Sequence, residues 1–175
     1  IDSRSIKKES LFIAIKGNNF NGNNFVEKAF KKGASIALVD DKKFIGVKDC
    51  KIVYVQNTIS ALKKISKNII KNYHGNVIAV TGSNGKTSTT NIISNTLTNC
   101  SSTIGNFNNE IGMPISIMNA SPKSSDIVME IGASKTGDIN YLSKILKPCI
   151  GVITNIGSSH LEKLKNINGV LNVKS

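Results

Sequence analysis

The sequence predicts an α/β protein with parallel sheets: a small N-terminal α/β domain followed by part of a second domain. Apolar runs of four to six residues alternate with segments of helical periodicity, a pattern typical of parallel sheets covered by helices. A glycine-rich turn, residues 82–85, joins one such run directly to a helix. The polar segment 73–76 is the predicted boundary between the two domains, residues 1–75 and 76–175.

The first domain is expected to hold three strands and two helices. The strands are predicted at residues 11–15, 36–39 and 51–55. A helix over residues 25–32 ends at Gly33, which suits a helix C-terminus. Thr58 can cap a second helix that runs to about Tyr73. Its apolar stripe is formed by Leu62, Ile65, Ile69 and Tyr73. Its solvent-facing charges are expected to be Lys63, Lys64, Lys67 and Lys71.

The second domain is expected to continue the alternation. Strands are predicted at residues 77–80, 126–131 and 150–154. One helix begins at Lys86, and another covers about 138–146 and stops before Pro148, while residues 105–114 are expected to form a loop. Ligands of such sheets bind at the carboxyl ends of the strands. The residues predicted to meet there are the 82–85 turn, Glu130, Thr154 and Asn155.

The glycine-rich turn has the features of a phosphate-binding loop. Backbone N–H groups at a helix N-terminus favour an anion, and glycines allow close approach. Lys86 can reach terminal phosphates, and the Thr87 hydroxyl can ligate Mg²⁺. The candidate nucleotide-binding residues are Gly82, Ser83, Asn84, Gly85, Lys86, Thr87, Ser88 and Asn155. The sequence therefore predicts binding of a nucleoside triphosphate; a glycine turn without a ligand is the alternative.

Composition excludes several other classes of protein. Residues 1–75 hold 15 Lys and Arg against 6 Asp and Glu, so most of the net charge of +12 lies there, scattered over amphipathic segments rather than interleaved with aromatics. We therefore expect no nucleic-acid partner. Three widely spaced cysteines indicate inert thiols in a reducing cytoplasm, and no apolar run is long enough for a membrane span. The absence of an initial Met and of a final helix stop leads us to expect a fragment of a longer protein.

The phosphate loop is unusually short, because only Ser83 and Asn84 separate Gly82 from Gly85. The segment Thr-Gly-Ser-Asn-Gly-Lys-Thr resembles the signature of the Mur ligase family and its relatives, the folylpolyglutamate synthases. Further segments similar to Mur ligases are residues 2–4, 11–17, 22–25, 29–34, 130–133, 137–139, 154–162 and 169–174. The loop Gly-Asn-Phe-Asn-Asn-Glu-Ile-Gly-Met-Pro, residues 105–114, resembles the MurF branch, whereas MurE ligases carry a Thr-Thr-Pro-type loop there.

The resemblance implies a cytoplasmic, monomeric ligase of peptidoglycan precursor synthesis. Such an enzyme uses ATP and Mg²⁺ to join D-alanyl-D-alanine to UDP-N-acetylmuramoyl-tripeptide through an acyl phosphate. It further implies that residues 1–75 form the substrate domain and 76–175 the first part of a P-loop ATPase domain. The amine-binding C-terminal domain would be missing, so we expect the 175-residue chain alone to be inactive.

The resemblance also implies roles for individual residues. The implied catalytic residues are Lys86, His160 and Lys174, and the implied metal ligands are Thr87, Glu130, His160 and Lys174. Lys174 would need carbamylation, because an ammonium has no lone pair to give a metal. The candidate substrate-binding residues are Ser3, Arg4, Ser5, Asn108 and Asn109. A turn role for Asn108 and Asn109, a local ion pair for Arg4 and a surface position for Lys174 are the alternatives.

Two departures from the family pattern leave questions open. Asn21-Gly22-Asn23 stands where the family has Asp-Gly-His, and Ser134-Lys135-Thr136 where it has Asn-His. Each change either removes a substrate contact or is a neutral surface change. Alternative functions are another Mur-type ligase, such as MurE or a folylpolyglutamate synthase, or a nucleotide-binding module without ligase activity.

Overall fold

The computed structural model describes residues 6–17, 19–47 and 51–157 of the chain. It confirms the predicted α/β class, since neighbouring strands in both sheets pair in parallel. The chain divides into two compact units, Ile1–Leu62 and Lys63–Ser175. None of the helices within the described ranges combines the length and apolar character that crossing a bilayer requires.

The first unit is a three-stranded parallel sheet with a short helix. Its strands are β1 (Ser10–Ile13), β2 (Ala34–Val39) and β3 (Ile52–Tyr54), in the order β1-β2-β3. Helix α1 (Val26–Lys31) follows a 3₁₀ turn at Gly22–Phe25, and a second 3₁₀ turn covers Lys42–Phe44. The core beneath α1 is formed by Phe12, Ala14, Val26, Ala29, Ala34, Ala37 and Val39. The three strands and the helix match the sequence prediction to within two residues.

Asn23 has a structural role that the sequence did not reveal. Its side chain is 3% exposed, and its amide nitrogen donates to Asp40 Oδ1 at 2.9 Å. The other Asp40 oxygen accepts from the Thr58 hydroxyl and backbone N–H at 2.9 and 3.2 Å. Burial opposes ionisation of Asp40, but these hydrogen bonds outweigh it and lower its pKa. The alternative of a neutral surface change is therefore wrong for Asn23, which connects the end of β2 to the start of the next helix.

That helix, α2 (Thr58–Lys71), begins in the first unit and continues into the second. The second unit holds strands β4 (Asn76–Thr81), β5 (Cys100–Ser102), β6 (Asp126–Glu130) and β7 (Ile150–Ile153), in the order β5-β6-β4-β7. Its other helices are α3 (Lys86–Thr96), α4 (Gly112–Asn119) and α5 (Asp138–Leu146). The sheet order places β4, which leads into the phosphate loop, at the centre.

Both faces of this sheet are covered, as predicted. On one face, Val77 and Ala79 of β4 pack in a cluster with residues of α2, α4 and α5. On the other, Ile78 and Val80 pack with Ile93 of α3. The alternation of neighbouring β4 residues between two apolar clusters explains why the strand is an uninterrupted apolar run. Because β4 and β6 are parallel neighbours, their carboxyl ends lie side by side at one edge of the sheet.

Two expectations for the second unit are wrong, and one of its strands was missed. Strand β5 was not predicted, because Cys-Ser-Ser carries no strand pattern. Residues 112–114 were expected to be loop but form the first turn of α4, where Pro114 is tolerated. Lys63 was placed on the solvent face of α2, yet its side chain is 18% exposed and paired with Glu110. The expected exposure holds for Lys64, Lys67 and Lys71.

Candidate functional site

The phosphate loop lies between β4 and α3, and two of its glycines are required by geometry. Gly82 has φ +148°, and a Cβ there would collide with the Thr154 hydroxyl at the end of β7. Gly85 has φ +77° immediately before the first residue of α3. Only glycine adopts these conformations without strain. The backbone can therefore turn sharply from strand to helix and present N–H groups to a ligand.

Residues after β7 fasten this loop. Ser83 N–H donates to the Asn155 carbonyl at 3.0 Å, and Asn84 N–H donates to Asn155 Oδ1 at 2.9 Å. The Thr154 hydroxyl donates to the Asn84 carbonyl at 2.6 Å. Ser83 Oγ also accepts from Gly157 N–H at 2.9 Å. The Asn155 side-chain oxygen thus supports the loop itself, and its predicted contact with nucleotide stays a prediction.

Lys86 and the start of α3 provide the positive end of the site. Lys86 Nζ folds back over the loop and donates to the carbonyls of Gly82 and Ser83 at 2.9 and 3.2 Å. Gly85 gives no side-chain cap to the helix, so the N–H groups of its first turn, including Thr87 and Ser88, have no such partner. Because the helix dipole adds to the lysine charge, the loop favours an anion. This arrangement fits a phosphate chain.

Glu130 is the centre of a polar cluster beside the loop. It is 2% exposed at the end of β6, and its two carboxylate oxygens accept from the Thr87 hydroxyl and from Asn108 Nδ2, each at 2.7 Å. Its backbone N–H donates to Thr103 Oγ1 at 2.6 Å. The structure therefore brings three sequence-predicted residues, Thr87, Glu130 and Asn108, into direct contact.

The donor set of this cluster fits Mg²⁺. A hydroxyl and a carboxylate are hard oxygen ligands, and Mg²⁺ bound to nucleotide takes only one or two from the protein. Within the described ranges no group of three or more His, Cys, Asp or Glu side chains forms a denser cage. Thr87 and Glu130 would thus hold the ion together with phosphate oxygens.

A cleft of about 920 Å³ opens next to Lys86 and Asn108. Its lining comes from two chain segments, called here the first wall (residues 108–111) and the second wall (residues 132–138 with Tyr141 and Leu142). The two segments meet where Gly132 N–H donates to the Asn108 carbonyl at 2.8 Å. Asn109 orders the turn that leads into α4, because its Oδ1 accepts from the N–H groups of Ile111 and Gly112 at 3.1 and 2.9 Å. The turn role that was the alternative for Asn109 is thus present. A substrate contact through its amide nitrogen stays a prediction.

Asp138 fixes the second wall at the start of α5. One carboxylate oxygen accepts from the backbone N–H groups of Ser134 and Lys135 at 2.8 and 2.9 Å, and from the Ser134 hydroxyl at 3.1 Å. Burial opposes ionisation, but these donors outweigh it and lower the Asp138 pKa. The departure Ser134-Lys135 therefore lies in the wall of the cleft and holds an ordered turn.

Some predicted site residues cannot be placed. Ser3, Arg4, Ser5, His160 and Lys174 lie outside the described residues, so their roles stay predictions. Sequence reasoning also missed contributors to the site. Thr103, which accepts from the Glu130 N–H, follows a strand that has no detectable sequence pattern. Lys63 belongs to a series of lysines that look alike in the sequence but differ in burial and contacts.

Comparison with known proteins agrees with this geometry. The family model described as the Mur ligase middle domain matches residues 80–175, and the model described as Mur ligase family, catalytic domain, matches residues 1–90. The chain belongs to the Mur ligase family. The matched ranges together cover both units of this Mur ligase chain, and both of them contain the phosphate loop.

Individual relatives carry a more specific name. UDP-N-acetylmuramoyl-tripeptide–D-alanyl-D-alanine ligases of Bacillus subtilis and of Buchnera aphidicola subsp. Baizongia pistaciae are 38% and 41% identical over 99% of this Mur ligase chain. The crystal structure of MurF ligase from Thermotoga maritima in complex with ADP matches 99% of the chain at 34% identity, with a TM-score of 0.84. The chain spans 38% of the length of both curated relatives and 40% of the solved chain.

Proposed function

We propose that this chain is the N-terminal part of an ATP-dependent ligase. The enzyme would join D-alanyl-D-alanine to UDP-N-acetylmuramoyl-tripeptide in the cytoplasm, as a monomer. The observation that supports this most is the contact of Thr87 and Asn108 with the buried Glu130, beside a phosphate loop that carries Lys86. The names of the relatives at 38–41% identity supply the substrates.

The reaction explains why the site needs these groups. A peptide carboxylate is a poor acyl donor, so one of its oxygens attacks the γ-phosphorus of ATP and ADP leaves. The resulting acyl phosphate is attacked at its carbonyl carbon by the amine of D-alanyl-D-alanine. The C–O bond to phosphate breaks, and the amine loses a proton. The first step depends chiefly on positioning and on neutralising charge.

Three residues of the described site would carry this first step. Lys86 would leave the carbonyls of Gly82 and Ser83 and donate to the transferring phosphoryl group, where its charge matters most. Thr87 and Glu130 would hold Mg²⁺, which neutralises the β- and γ-phosphates when it is bound. Asn108 would keep the Glu130 carboxylate oriented.

The remaining roles rest on the family resemblance. Residues 1–75 would bind the uridine-diphosphate end of the substrate, with Ser3, Arg4 and Ser5 as contacts. Residues 76–175 would bind ATP. His160 and a carbamylated Lys174 would hold a second metal ion near the substrate carboxylate.

The test is a reaction of the complete protein with ATP, Mg²⁺, a panel of amines and, in separate reactions, UDP-N-acetylmuramoyl-tripeptide or the corresponding dipeptide. We expect ADP release and amide formation with D-alanyl-D-alanine and none with diaminopimelate. Lysine and glutamate complete the panel of controls for related ligases. Amide formation with diaminopimelate on a dipeptide substrate would assign a MurE-type activity instead. ATP binding without any product would leave a nucleotide-binding module.

A further inference from the structure

Lys63 has an environment unlike that of the other lysines of α2. Its side chain is 18% exposed, whereas Lys64, Lys67 and Lys71 are exposed. Its Nζ donates to Glu110 Oε2 at 2.9 Å and lies 5.0 Å from the centre of the Tyr141 ring. One ammonium therefore contacts both a carboxylate and an aromatic face.

The two partners of Lys63 belong to different lining segments of the cleft. Glu110 lies in the first wall, directly after Asn108 and Asn109. Tyr141 lies in the second wall, three residues after Asp138. Lys63 thus connects the loop whose Asn108 holds Glu130 with the helix turn that Asp138 orders.

The energetics favour a positional role over a contribution to stability. The Glu110 side chain is 62% exposed, and an ion pair with so exposed a partner adds little to stability because water screens it. An ammonium above an aromatic ring adds only a small further stabilisation at a partly exposed site. Burial opposes the charge of Lys63, but Tyr141 and Glu110 outweigh it and raise the lysine pKa, so the cation persists at neutral pH. The Lys63 ammonium therefore also compensates the negative charge of Glu110 in the lining of the cleft.

We propose that Lys63 is a positioning residue that holds the two walls of the cleft through Glu110 and Tyr141. It thereby sets the geometry in which the peptide end of the acyl substrate meets Lys86. This inference rests on the proposed ligase function, because it assigns the cleft to the carboxylate that receives the phosphoryl group.

The kinetic test compares Lys63→Met, which keeps the aliphatic stem but removes the ammonium, with Lys63→Arg, which keeps a cation. In the complete protein we expect Lys63→Met to raise the KM for UDP-N-acetylmuramoyl-tripeptide about three- to tenfold, with the KM for ATP within twofold of wild type. Lys63→Arg should restore most of the difference. Lys67→Met, on the exposed face of the same helix, is the matched control. Identical KM values for Lys63→Met and Lys67→Met would overturn the proposal.

Hydrogen exchange measures the walls independently of any activity. We expect Lys63→Met and Glu110→Gln each to increase amide exchange in residues 108–111 and 138–142, relative to wild type and Lys67→Met. Unchanged exchange in both segments would refute the contact role even if the ligase assignment holds. If the wild-type protein forms no product, the proposed function fails, and increased exchange would still support the connection between the walls. Because Glu110 is exposed, its variant keeps the test valid should Lys63→Met fail to fold.

Discussion

Replacing Glu130 by Gln tests the metal site with little change of shape. Asn108 Nδ2 can only donate, so the new side-chain oxygen must face Asn108 and the new NH₂ must face Thr87. The Thr87 hydroxyl, now a donor to Glu130, would reverse and accept. Both hydrogen bonds survive but lose a charged acceptor, which costs about 1–2 kcal/mol of unfolding free energy.

The expected effect on metal binding is larger. Glu130→Gln removes the anionic ligand and engages a lone pair of Thr87, so the Mg²⁺ concentration for half-maximal ADP formation should rise about 10–100-fold, equivalent to about 1.4–2.8 kcal/mol. The assay is a Mg²⁺ titration of the complete protein at saturating ATP, paired with a urea unfolding curve. Glu27→Gln, at an exposed position of the first unit, is the control. A Mg²⁺ requirement equal to that of wild type would refute the assignment of Glu130 as a ligand.

Four further changes test other parts of the molecule. Lys86→Ala should lower ligase turnover by at least about 100-fold, since it removes charge where the transition state needs it; the measurement is kcat for ADP release. Thr90→Val should raise the unfolding free energy by about 1 kcal/mol and the melting midpoint by roughly 2–4 °C, because the Thr90 hydroxyl is buried with no hydrogen-bond partner among the described residues. Thr96→Val, at an exposed position, is the control. A lowered melting midpoint for Thr90→Val would reveal a hidden partner of the hydroxyl. Asp138→Asn should lower the unfolding free energy at pH 7 by under about 1 kcal/mol, because solvent screens this partly exposed carboxylate. The difference in stability between variant and wild type should fade as the pH falls below about 4 and through the lowered pKa of Asp138. A difference in urea midpoint that does not change with pH would contradict this prediction. Lys174→Ala should be nearly inactive and partly rescued by formate if Lys174 is carbamylated, whereas full activity without formate would make it a surface lysine.

The elements that the sequence predicted are those whose pattern arises from burial. Strands β4 and β6 are apolar runs because both faces of the sheet are covered, and α5 ends shortly before Pro148, as predicted. The phosphate loop was predictable because two glycines followed by Lys and Thr seldom occur at a strand-to-helix turn that binds no phosphate. Thr87 and Glu130 could be expected to meet because strand ends of a parallel sheet share one edge.

The features that escaped prediction depend on partners distant in sequence. Lys63 and Glu110 are 47 residues apart, and Asp40 and Thr58 are 18 apart, so no local pattern indicates either contact. The first turn of α4 combines Gly112 and Pro114, which locally favour a loop, and tertiary packing of Met113 decides otherwise. Residues of the same type in one helix thus differ in role only through what the fold places beside them.

The fastening of the phosphate loop by residues 154–157 has a consequence for the order of events during synthesis. Asn84 bonds to partners that lie 70 and 71 positions later in the chain, so its loop lacks those hydrogen bonds while the ribosome is still making β7. At about 5–20 residues per second, that interval lasts roughly 4–14 s. A nascent chain in this window would hold the glycines and Lys86 without the geometry that suits an anion. We therefore expect nucleotide affinity to arise late, when β7 docks beside β4, rather than when the loop itself leaves the exit tunnel.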